Sequence, residues 1–126
     1  MRIATTVLLL AAFAAGVSAL RAQTGDAAKG EEKKSIKEVM KLAHKDGLLK
    51  KITDGTAEPA DKKELLALYV DMWDAEPPKG SPESWQKLTG GAIVAAAKVV
   101  LDQDGSVALL KERTNCATCH KEHKGK

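Results

Sequence analysis

From residue 35 onward the apolar positions recur at spacings of three and four, the period of helices that bury one stripe, and nowhere do they alternate as a strand would. Ser35-Ile36-Lys37-Glu38 has the form of a capping box, and Ile36, Val39, Met40 and Ala43 follow it as an apolar stripe. Leu48, Leu49 and Ile52 continue the stripe past Asp46-Gly47, which predicts a break or kink, and Asp54-Gly55 ends it. A second helix is expected over 59–74, opened by Pro59, with Leu65, Leu66, Leu68, Tyr69, Met72 and Trp73 on its buried side. Pro77-Pro78-Lys79-Gly80 stops it. Ser81-Pro82-Glu83 supplies the N-cap, the first turn and an acidic residue for a third helix, which buries Trp85, Leu88, Ile93, Ala96, Val99 and Val100. After Asp104-Gly105, Ser106 caps a fourth helix that runs through Leu109 and Leu110 into the C-terminal region. Four amphipathic segments joined by short loops predict an all-α chain, folded as an antiparallel up-and-down four-helix bundle.

The N-terminal pattern is different. Arg2 precedes an apolar run from Val7 to Ala15, and Val17-Ser18-Ala19 offers small residues for cleavage, with Leu20-Arg21-Ala22 as a weaker second site. Residues 1–19 therefore read as a cleaved signal peptide. An uncleaved anchor is the competing reading, but Thr5, Thr6, Gly16 and Ser18 dilute the stretch from Ile3 to Leu20. No cysteine lies near it, which excludes a lipoprotein. Residues 20–34 are polar and Gly-containing and form an expected flexible lead-in, so the folded domain is 35–126. No stable membrane insertion is expected after cleavage.

Composition adds two constraints. The formal net charge is +3, one unit of which leaves with Arg2, so nothing marks nucleic acid as a partner. Aromatic residues are scarce. With Phe13 in the signal, the domain keeps only Tyr69, Trp73 and Trp85, and a domain this small is marginal by its own burial.

The chain has two cysteines, and both lie in Cys116-Ala117-Thr118-Cys119-His120. C-x-x-C-H is the attachment pattern of a c-type haem: each thiol adds to one porphyrin vinyl group, and the adjacent imidazole ligates the iron. On a helix the three side chains share a face. A structural zinc site would need four ligands, with only His123 and His44 left to complete it. A thioredoxin-like redox pair would want a βαβ context that is missing here. A plain disulfide is the third alternative. Export favours haem, because covalent attachment of haem c takes place outside the cytoplasm, and the expected location is the periplasm. A large planar apolar group would also fill a core poor in aromatics. Gly90-Gly91 and Ala95-Ala96-Ala97 in the third helix would let a porphyrin come close, unless the glycines merely kink that helix or mark its start.

With this motif on the last helix the chain resembles the class II cytochromes c, the cytochrome c′ family. The motif ends six residues before Lys126, whereas class I cytochromes carry it near the N-terminus. Met40-Lys41 matches a Met-Lys pair that the family carries on its first helix near the distal face of the haem. An Arg common shortly before that Met is absent, and Ile36 and Lys37 stand there instead. The resemblance implies a four-helix bundle around one covalent haem, held by Cys116 and Cys119 with His120 as proximal ligand. It also raises a homodimer formed through the first two helices.

The sixth position on the iron decides the chemistry. With Ile36 at zero and α-helical rotation, Met40 falls at about 40° and His44 at about 80°, so Met40 lies within the stripe and His44 at its edge. Met40 is the expected distal ligand and His44 the alternative. His123 falls on the face of the cysteines, but reads as part of a fraying basic tail with Lys121, Lys124 and Lys126, able at most to dock an acidic redox partner. The expected function is single-electron transfer between periplasmic redox proteins. The alternative is a five-coordinate haem binding nitric oxide or carbon monoxide. No acid–base set and no distal Arg–His pair is evident, so no enzyme is expected.

Overall fold

In a computed structural model of the chain, residues 32–126 are described. The expected signal peptide at 1–19 and most of the lead-in at 20–34 lie outside the described residues. Among the described residues all regular structure is helical. Helix α1 (Ile36–Val39) opens on the expected capping box: the Glu38 amide donates to Ser35 Oγ at 3.3 Å, and the Ser35 amide donates to Glu38 Oε2 at 2.8 Å. The Ser35 hydroxyl and amide together hold the Glu38 carboxyl below its usual range.

The first predicted helix is not one α-helix. From Met40 to Lys45 it runs as a π-helix, closed by the Asp46 amide donating to the Lys41 carbonyl five residues back at 2.8 Å. The chain bends at Asp46-Gly47, where Gly47 takes φ +89°, and resumes as α2 (Leu48–Thr53). The expected kink is therefore real, but the departure from α geometry begins six residues earlier. Helix α3 (Pro59–Asp74) starts as predicted. Its N-cap is Glu58, whose amide donates to Asp61 Oδ2 at 2.7 Å, and Lys51 Nζ on α2 pairs with the same Asp61 at 2.6 Å.

Helix α4 (Pro82–Val100) runs without interruption through Gly90-Gly91, so these glycines neither break it nor start it. Trp73 explains Gly90: a Cβ there would come within 2.5 Å of the indole. Trp73, expected on the buried side of its helix, instead lies across α4 at the surface and stays 37% exposed. The fourth predicted helix is also divided. Helix α5 (Ser106–Arg113) starts from Gly105 as N-cap, with Ser106 its first residue, and ends at Thr114. Helix α6 (Cys116–His123) starts afresh, with Asn115 Oδ1 accepting from the amides of Ala117 and Thr118 at 3.0 and 3.2 Å.

Residues 33–126 form one compact unit. Its principal packing is α3 on α4 and α4 on α5, with α1 and α2 against α3 and α6 against α4. Val39, Ala43, Ile52, Leu65, Leu68, Tyr69, Met72, Trp85, Ala92, Ala95, Ala96, Val99 and Leu110 make the core. Trp85 joins α4 to α3 twice over, by burial and by donating its indole N–H to the Met72 carbonyl at 3.0 Å. No helix among the described residues is long and apolar enough to cross a membrane.

His123 departs most from expectation. It is not in a fraying tail but 3% exposed, edge-on to Trp85 at 5.2 Å between ring centroids. Its Nδ1–H donates to the Lys79 carbonyl at 2.8 Å, and Nε2 lies 3.1 Å from Ser84 Oγ. The C-terminal helix is thus fastened to the α3–α4 loop and the start of α4. Gly80 makes room for this: at φ +85°, a Cβ there would sit 2.6 Å from His123 Nδ1. Gly47 shares the positive φ but has nothing within 4 Å. Gly47→Ala should therefore cost only the backbone term, about 1–2 kcal/mol, whereas Gly80→Ala should cost a further amount of about 1–3 kcal/mol for overpacking. Urea midpoints of the two variants check this. Equal losses would show that the His123 contact does not constrain the loop.

Candidate functional site

Because Asn115 restarts the chain as a new helix, α6 points its first turns back at the π-helix across a cavity of about 410 Å³. That volume lies in the range of small-molecule and cofactor sites. The π-helix contributes Met40, His44 and Lys45; α3 contributes Tyr69 and Met72; α4 contributes Leu88, Thr89 and Ala92. The α5–α6 junction supplies Arg113, Thr114 and Asn115, and α6 adds Cys116, Thr118, Cys119 and His120. Residues far apart in sequence, Met40 and His44 on one side and Cys116, Cys119 and His120 on the other, thus border one space. A second, more open groove of about 700 Å³ shares Met40, Cys119 and His120 with it, and is flanked by Lys37, Lys124 and Lys126.

The donor set narrows the chemistry. Both thiols are free, Cys116 exposed and Cys119 half-buried. Burial, with Glu122 and Cys116 adding to it, pushes the Cys119 thiol up, the reverse of the activated thiolate of a redox-active pair. Among the described residues no three His, Cys, Asp or Glu side chains converge as a metal site of their own. His123, one of the two histidines left to complete a zinc site, is committed to Lys79 and Ser84. What remains is two thiols and an imidazole beside an apolar chamber.

Two of the less exposed polar side chains in the chamber wall, Tyr69 and His44, have no hydrogen-bond partner among the described residues. Tyr69 is fully buried, and its hydroxyl is unsatisfied. Burial foremost, and then Cys116, pushes its ionisation far above the ordinary phenol value, so it is a neutral hydroxyl. His44 is half-buried, with its ring 6.1 Å from that of Tyr69 and tilted by 37°. Burial, and next the charge of His120, holds the His44 imidazole below its ordinary value. The sequence reading placed Tyr69 in the core without a polar role, and it missed the rim formed by Arg113, Thr114 and Asn115. The only signal for Tyr69 was a phenol on the buried face of a chain with one tyrosine.

No protein family, curated protein or solved structure matches this chain.

The shifted His44 makes stability pH-dependent in a defined direction. In the unfolded chain His44 takes up its proton near the ordinary value of 6.5, whereas in the fold it does so only at lower pH. Between the two the unfolded state holds the extra proton, so acidification favours unfolding. Stability of the cofactor-free chain should be undiminished above that ordinary value and should fall as pH drops through it. His44→Gln should flatten this part of the profile. Urea midpoints measured on both sides of the transition test it, and an equal slope in the variant would assign the effect to another group.

Proposed function

We propose that this chain is a c-type cytochrome of the class II kind, exported to the periplasm and carrying single electrons on one covalent haem. Counting α1 to α2 and α5 to α6 as interrupted single helices, the all-helical element order supports the up-and-down four-helix bundle expected for that class. The observation that carries the reading is the convergence of Cys116, Cys119 and His120 on an apolar cavity walled by Met40, Met72, Leu88 and Ala92.

The residues fit the group. Cys116 and Cys119 would form the thioethers, and His120, next to Cys119 on α6, would ligate the iron. The unsatisfied Tyr69 hydroxyl supports a polar atom entering the cavity, since buried hydroxyls without partners are uncommon. Arg113 at the rim offers a cation for a carboxylate of the cofactor. When bound, the haem supplies the one-electron redox couple. The protein's part is to hold it, exclude water from its buried face and set its potential. The open groove beside Cys119 and His120, with Lys37, Lys124 and Lys126 around it, favours acidic redox partners.

Expression with a working cytochrome c maturation system tests the reading. Haem should remain with the polypeptide through acid–acetone extraction and denaturing electrophoresis. The Cys116→Ala/Cys119→Ala double variant should release it, and His120→Ala should keep the thioethers but lose the parent spectrum. A wild-type protein that purifies colourless from such a host would overturn the proposal.

A further inference from the structure

The π-helix changes which side chain faces the cavity. Under α-helical rotation four residues exceed a full turn, which carries His44 outward from Met40 and away from the centre of the stripe. With hydrogen bonds reaching five residues back, each turn takes up more residues, and four fall short of a turn. His44 is thereby rotated back over the cavity. Such π segments inside helices are uncommon and gather at functional sites.

The two candidates on this segment differ in what they lack. Met40 packs against the apolar core and lines both the cavity and the outer groove, and a buried thioether needs no partner. His44 is half-buried and has no hydrogen bond among the described residues. Its ring lies 6.1 Å from that of Tyr69, whose Oη is the one buried side-chain polar atom without a partner among the described residues. A histidine that ligates a metal donates its other ring N–H to an oxygen, which fixes the ring and raises its basicity.

We propose that His44 is the second axial ligand of the haem iron, opposite His120, and that the Tyr69 hydroxyl holds it by accepting the hydrogen bond of its non-ligating nitrogen. This assignment rests on the haem reading above. One arrangement satisfies both unpartnered groups and gives the π-helix a purpose. Tyr69 acts as a positioning residue, through His44. Ligation by His44 and His120 would make the iron low-spin, close it to small ligands and hold its potential below that of a Met/His pair.

Haem staining on a denaturing gel comes first, so that the underlying reading is judged separately: a chain without haem overturns that reading, and this proposal with it. For the haem-loaded protein the ferric spectrum should be low-spin without the far-red charge-transfer band of Met–iron coordination, and Met40→Leu should leave it unchanged. His44→Ala should become high-spin and take up carbon monoxide, and added imidazole should restore the low-spin spectrum. Tyr69→Phe should stay low-spin with a raised reduction potential, because the ligand loses the acceptor that strengthens it. A far-red band abolished by Met40→Leu, or a high-spin wild type that binds carbon monoxide, overturns the His44 assignment while leaving the cytochrome reading intact. An unchanged potential in Tyr69→Phe overturns the role given to Tyr69.

Discussion

The C-x-x-C-H motif rides on a helix of eight residues, and a helix that short does not persist in water on its own. Its order has to come from its two ends. Asn115 closes the N-terminal end by taking two amides, and His123 closes the other by reaching the Lys79 carbonyl and Ser84. Between these points Cys116, Cys119 and His120 are held at fixed phase against the π-helix. Asn115 acts locally, but His123 spans more than forty positions of sequence, so the site depends on the α3–α4 loop being in place. The left-handed Gly80 and the buried imidazole are two halves of one joint.

Most of the helical layout could be read from the chain, because Ser35, Pro59, Ser81 and Pro82 are local signals that act within a turn of themselves. The motif was legible for the same reason, its spacing being its meaning. Three things were not. The π-helix has no compositional mark: Met-Lys-Leu-Ala-His-Lys would suit an α-helix equally well, and only packing selects the wider turn. The break at Thr114-Asn115 lies in the polar run Lys111-Glu112-Arg113-Thr114-Asn115, which carries no Gly or Pro to mark a stop. The burial of His123 was hidden by its basic neighbours, since a tail rich in lysine reads as solvated until the loop that receives it is known. The ranking of Met40 ahead of His44 assumed α-helical rotation, and the wider turn removes that assumption.

Of the three aromatic residues of the domain, Tyr69 and Trp85 belong to the core and Trp73 lies at the surface, each where elements meet. Trp85 joins α3, α4 and the His123 clasp, Trp73 lies in the notch at Gly90, and Tyr69 closes one side of the chamber. Leu, Val and Ala, with Ile52 and Met72, fill the rest of the core. The surface ion pairs, Lys41 with Asp46 among them, are exposed and add little stability.

The π-helix also bears on how such a chain can diverge. A wide turn holds one residue more than the α-turn it replaces, so its presence is equivalent to a single inserted residue between Met40 and Lys45. Lineages that gain or lose one codon at this point would exchange the side chain presented to the cavity, with no substitution at either position. In a scaffold of this kind, helical phase is a heritable variable in its own right, and alignments that score residue identity alone pass over it.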